Sequence, residues 1–148
     1  MKIYQVLPIN NRYQNQNIGF KSKDSKISKA MLSDLRVFSH HIYEYKKGIR
    51  NLILTTEKAE YKDHIKQRLE KENISYKIDE IVGQKINVYF GEQECIDVVK
   101  SFDSKLSNLT AEQDFILGIM LGYDRLKQCI RYNKIKSGKI KLGKHPEE

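Results

Sequence analysis

The stretch LTAEQDFILGIMLGYDRLKQCIRY, residues 109–132, decides how the rest of the chain has to be arranged. It holds the densest apolar run in the sequence, Phe115 to Leu121, broken only by Gly118. Thr110 with Gln113 three residues later has the form of a capping box, which starts a helix near Ala111. Phe115, Ile119, Tyr123, Leu126 and Ile130 then recur at helical spacing, and Ile116, Leu117, Met120 and Leu121 widen the stripe. An apolar arc this wide implies a long C-terminal core helix covered on more than one side. Gly118 and Gly122 lie four apart on it. Each gives up roughly 1 kcal/mol of helix propensity relative to alanine, which implies that a sheet or second helix packs close by or, as the alternative, that a ligand or partner approaches the glycine notch. The apolar run is far shorter than the ~20 residues a bilayer needs, so a membrane dimer motif is excluded.

Working back toward the N-terminus, the segment after Gly91 reads as a helix with Cys95, Val98, Val99 and Phe102 on one face. Glu92 and Glu94 suit the positive end of its dipole. SYKIDEIVGQKINVYFG is the best hairpin signal: Tyr76 to Val82, a turn at Gly83-Gln84, and a return strand alternating Ile86, Val88 and Phe90. Glu57 to Asn73 is amphipathic, with Tyr61, Ile65 and Leu69 inward. Leu52 to Thr56 is a strand. Residues 37–48 fit a helix or an alternating strand, and the helix is favoured. A further short helix over Ile27 to Val37 would place Met31 and Leu35 on one face. The strand at Leu52, its crossover helix and the hairpin make an α/β (α+β) sandwich. It has a small mixed three- or four-stranded sheet, with the first strand parallel to its neighbour and helices packed on it.

The 148-residue chain is long enough for one domain with a real core, and the pattern divides it into three. Residues 1–36 form a polar basic arm, expected to be largely disordered, in which IYQVLPI (3–9) is a candidate added strand or linear motif. Residues 37–133 form the α/β domain, and residues 134–148 a basic mobile tail. The net charge of +8 follows the same division. The arm carries seven basic against two acidic residues, residues 133–148 carry five against two, and residues 37–132 balance fifteen against fifteen. Basic ends of this kind speed encounter with any acidic surface in a salt-dependent way. No signal peptide opens MKIYQVLPINNRYQ, so a cytoplasmic location is expected. Cys95 and Cys129 both sit in apolar patterns, where a cysteine is ordinarily a small hydrophobe.

No phosphate-binding loop, dinucleotide fingerprint, nucleophile elbow or paired-cysteine motif is present, so no catalytic residue, metal or cofactor is assigned. The candidate binding residues are polar groups embedded where an apolar face would suffice. They fall in two clusters: His40, His41, Tyr43, Glu44 and Arg50, and Asp124, Arg125, Cys129 and Arg131. A carboxylate with an arginine and a tyrosine or histidine binds an anion or shuttles a proton. The plain alternative is that Glu44 and Asp124 form ion pairs with Arg50 or Arg125. Adjacent His40 and His41 point in different directions on a helix, a poor geometry for joint metal ligation.

The runs HHIYEYKKGIRNLILTT, INVYFG and LTAEQDFILGIMLGYDRLKQCIRY resemble the bacterial Domain of Unknown Function family two thousand twenty-three. The resemblance spans residues 39–132 and leaves out the N-terminal arm. It implies a small α/β fold without an assigned activity, and its members are often encoded beside a flavodoxin, typically an acidic protein. The leading expectation is therefore a non-catalytic binding or adaptor protein for an acidic partner, with flavodoxin the named candidate. Two alternatives stand beside it. One is nucleic-acid binding through the basic ends with Tyr76 or Tyr89 stacking on bases. The other is an enzyme acting on an anionic substrate or redox group, which requires the two clusters to meet in one pocket.

Overall fold

A computed structural model describes residues 28–142. Ser28 accepts a hydrogen bond from the Met31 amide and so caps α1 (Lys29–Asp34). After Leu35 comes α2 (Arg36–Lys46), which settles the ambiguous segment as helix and turns Phe38 and Ile42 inward one turn apart. Strand β1 (Leu52–Lys58) runs on through Glu57 and Lys58, so the next helix, α3 (Lys62–Lys71), starts later than its sequence pattern implies. The predicted hairpin is present as β2 (Ser75–Ile81) and β3 (Lys85–Gly91), joined by a three-residue turn. Then follow α4 (Gln93–Lys100), α5 (Ala111–Met120) and α6 (Arg125–Lys136).

The fold class is α/β, with one three-stranded sheet ordered β1-β3-β2. Its pairings are antiparallel rather than mixed. The β1–α3–β2 crossover does make β1 and β2 point the same way, but β3 inserts between them and pairs with both. The central strand is covered on both sides, which is why Ile86 through Gly91 is buried without alternation. Gly91 has φ +152°, and a Cβ there would run into the Asn51 carbonyl, so only glycine lets the two strand ends approach.

Each sheet face carries its own core. Ile53, Ile86, Val88 and Phe90 pack against Leu35, Phe38, Ile42, Ile65 and Leu69 from α1–α3. Leu52 and Tyr89 pack on the other face against Ile96, Val99, Leu109, Leu117 and Leu121. Burial of each such aliphatic side chain contributes on the order of 1.5–3 kcal/mol. Leu35 and Met31 place α1 in the first core, and Leu142 packs on the second. The folded body thus extends on both sides of residues 37–133. On α4 it is Ile96 and Val99 that are buried, while Val98 points to solvent. The expected motif at residues 3–9 and the end of the basic tail lie outside the described residues.

The long core helix is in fact two. Gly122 stands at φ +79° just past Leu121, the residue that caps the end of α5. Its amide donates to the Ile119 carbonyl at 3.0 Å and the Tyr123 amide to the Gly118 carbonyl at 3.1 Å, the two bonds of a left-handed glycine stop. Asp124 then caps α6 by accepting from the Lys127 amide at 2.8 Å. The chain reverses, and α6 packs back chiefly on α5. Gly118 does mark a close approach: the Gln128 side chain of α6 occupies the space a Cβ would fill. Among the described residues no helix is long and apolar enough to cross a membrane.

Candidate functional site

The first predicted cluster gathers around Glu44 on α2. His41 Nδ1 lies 3.0 Å from Glu44 Oε2, His40 Nε2 lies 3.7 Å from Oε1, and Arg50 Nε lies 3.9 Å from Oε2. The hydrogen bond from His41, opposed by partial desolvation and helped by Arg50, holds the Glu44 carboxyl below its ordinary range. Tyr43 joins the cluster through its ring, which stacks on His40 with centroids 6.2 Å apart, and it is approached by the Lys47 ammonium at 5.5 Å. It lines a groove of about 410 Å³ between α2 and α3 with Ser39, Lys46, Lys47, Arg68 and Glu72. Glu72 there accepts from both Lys46 and Arg68.

Sequence reasoning missed Glu57 in this neighbourhood. It is buried at the end of β1, accepts a 2.7 Å hydrogen bond from Thr55 Oγ1, and is pushed above its ordinary value by desolvation. The signal was there: in LTTEK, period-two alternation puts Thr55 and Glu57 on the same face as buried Ile53. Reading Glu57 as the first residue of a helix hid it.

The second cluster lies on the opposite side of the sheet, because α2 packs with Ile53 and α5 packs with its neighbour Leu52. No single pocket therefore joins His40 to Arg50 with Asp124 to Cys129. Asp124 serves as a helix cap and not as an ion-pair partner of Arg125. Arg131 forms a two-pronged pair with Asp114 of α5, Nε to Oδ2 at 2.8 Å and Nη2 to Oδ1 at 3.1 Å. Cys129 is exposed.

What surrounds Cys129 is the larger feature. Phe115 and Ile116 of α5 and Cys129, Tyr132 and Asn133 of α6 line an open, mainly apolar groove of about 510 Å³, closed at one end by Glu112. Glu112 is held by Lys136 Nζ at 2.8 Å and by the Tyr132 hydroxyl at 3.1 Å; the Lys136 bond, then its own backbone amide, then Tyr132 lower its carboxyl to about 2. Around the groove the stripe expected in the core is in solvent: Ile116 is 43% exposed, Leu126 68% and Ile130 46%, with Ile119 and Tyr123 exposed beside them. The buried face of α5 is instead Ala111, Leu117 and Gly118, followed by Leu121.

Charge collects on the same hairpin. Residues 109–142 hold seven basic against three acidic residues, net +4. Residues 28–108 hold fourteen against thirteen, net +1. Arg131 and Lys136 are engaged by Asp114 and Glu112. Arg125, Lys127, Lys134, Lys139 and Lys141 pair with no carboxylate among the described residues. Part of the charge assigned to a tail therefore belongs to α6. Among the described residues no group of three or more His, Cys, Asp or Glu side chains is placed to hold a metal ion.

A family model described as Protein of unknown function (DUF2023) matches residues 36–135. The chain belongs to that family. The match runs from the first residue of α2 almost to the end of α6, so the DUF2023 unit contains the sheet, most of both cores and the exposed helical hairpin, and leaves outside it α1, with Met31 and Leu35 of the first core, and Leu142. The family description assigns no activity. No curated protein matches the chain.

Proposed function

We propose that this protein is a non-catalytic docking protein that binds an acidic partner through the α5–α6 hairpin, and that flavodoxin is the partner to try first. The observation that carries this reading is the coincidence, on one hairpin, of an open apolar groove with five cations lacking a described carboxylate partner. Apolar surface supplies the affinity, and the surrounding lysines and arginines supply speed and orientation. The sheet is a poor platform for nucleic acid by comparison. Tyr89 is 2% exposed beneath the second core, and the Tyr76 hydroxyl is tied to Glu70.

The test is a titration of purified flavodoxin, in both redox states, against the full chain at roughly 50 and 200 mM salt, where the screening length shortens about twofold. Binding should weaken severalfold at the higher salt and be lost in Ile130→Asp, a change at an exposed position. Absence of salt-sensitive binding to flavodoxin and to other acidic proteins captured at low salt would overturn the reading. Binding that survives Ile130→Asp unchanged would move the site elsewhere.

A further inference from the structure

We infer that the segment received by the α5–α6 groove is an amphipathic helix with acidic flanks, which completes a three-helix bundle on the outside of the sheet. The inference rests on the docking reading and names what the partner must present. Three observations lead to it.

The first is the shape of the groove. Its walls are two antiparallel helices, α5 of ten residues and α6 of twelve. At 1.5 Å per residue they offer a furrow roughly 15–18 Å long, three turns of a third helix. Its lining residues recur at helical spacing, Glu112, Phe115 and Ile116 on one wall and Cys129, Tyr132 and Asn133 on the other, and exposed Ile119, Leu126 and Ile130 on the same two helices extend the apolar surface beside it. The ridges of an incoming helix fit such grooves.

The second is the state of the polar groups. The backbone of both walls is already hydrogen-bonded within its own helices, and Glu112 and Tyr132 satisfy each other. An extended peptide pressed into the groove would find almost nothing to bond its amides and carbonyls, and leaving those groups bare is costly. A helix arrives with its backbone satisfied.

The third is charge. Arg125 and Lys127 open α6, while Lys134, Lys139 and Lys141 stand at and beyond its other end. An occupant with carboxylates at both ends of an apolar stripe meets both groups. A second copy of this hairpin does not, since each carries net +4 over residues 109–142 and the two like charges oppose one another. A nucleic acid would meet the cations but leave Ile116, Ile119, Leu126 and Ile130 against phosphates.

Cys129 provides a native reporter, being an exposed thiol in the groove wall, with half-buried Cys95 on α4 as an internal control. The full chain is incubated with an amidated peptide of about 18 residues carrying leucines at i, i+3, i+4 and i+7 and glutamates elsewhere, long enough to form helix on docking. Controls are the same composition with the leucine spacing scrambled and the same pattern with lysines for glutamates. The alkylation rate at each cysteine is followed by peptide mass mapping. With nine-tenths of the protein occupied, Cys129 labelling should slow about tenfold, because only the open fraction reacts, while Cys95 is unchanged. The peptide should gain helical circular dichroism, and Ile130→Glu should remove both effects. Equal protection by the scrambled peptide, or protection by flavodoxin but by no peptide, overturns the helical occupant and leaves the acidic-partner reading standing. Protection of Cys129 that instead grows with the protein's own concentration, with sedimentation showing dimers, makes a second copy the occupant and overturns both.

Discussion

The reversal at Gly122 offers the sharpest test of the fold, because the two ways of reading residues 109–132 give opposite signs for one substitution. In the structure Gly122 has φ +79°, and a Cβ added there meets nothing within 4 Å. The cost of Gly122→Ala is therefore conformational and not steric. Holding an alanine in the left-handed region costs about 1–2 kcal/mol. The stiffer unfolded chain returns about 0.4–1 kcal/mol of that, leaving a net destabilisation of about 1 kcal/mol. Were the segment one continuous helix, the same change would stabilise it by about 1 kcal/mol. In a urea titration followed by far-ultraviolet circular dichroism, a slope of roughly 1–3 kcal/mol per molar turns the expected loss into a midpoint lowered by roughly 0.5 M. Gly122→Asn should fall between the two, since asparagine tolerates this conformation better. A midpoint for Gly122→Ala equal to or above that of the unchanged protein would refute the helix break, and with it the hairpin on which the groove depends.

Leu117 and Leu126 make a matched pair, one buried under the second core and one 68% exposed. Leu117→Ala should cost about 2–5 kcal/mol and Leu126→Ala less than about 0.5 kcal/mol by the same urea titration. Arg131→Met removes the pair with Asp114 that ties α6 to α5, and should cost about 1–2 kcal/mol, with hydrogen exchange rising selectively in α6. Glu57 has a carboxyl raised above its ordinary 4.5 by burial. Its contribution is fully present below that ordinary value and is lost as pH rises through the higher folded-state value. Glu57→Gln should therefore be more stable than the unchanged protein at pH 7, with the gap in melting temperature closing by about pH 4.

The elements legible in the sequence are those whose signal is local. The capping box at Thr110 and Gln113 is formed by both reciprocal hydrogen bonds, at 3.0 and 3.1 Å. The hairpin turn at Gly83-Gln84 has both residues at positive φ. Inward Tyr61, Ile65 and Leu69 follow from a period of 3.6, and that period holds whichever surface the helix meets. Strand order was less accessible. A β–α–β run implies two parallel strands but does not say that a third will slide between them, because pairing is decided by which faces need cover. The candidate residues divide the same way. His41 and Glu44 meet because they stand one helical turn apart on α2, and Asp124 caps because it follows a glycine stop.

The apolar stripe of residues 115–130 shows why periodicity alone left the site unread. Apolar residues at helical spacing say that one side of a helix avoids water, but a fold's own core and a partner's surface satisfy that demand equally. Local chemistry does separate the two cases here. A continuous helix would carry Phe115, Ile119, Tyr123, Leu126 and Ile130 along one line, with a single buried face beneath. The GYD at 122–124 cuts that line with a left-handed stop followed by a cap. Once the chain reverses, α5 turns Leu117 onto the sheet and α6 packs against α5 through Gln128 at Gly118 and Arg131 at Asp114. Those contacts leave Ile116, Ile119, Leu126 and Ile130 only partly covered. Among the described residues these four aliphatic side chains stay partly in water beside cations with no carboxylate partner, an arrangement that costs less when another molecule covers it.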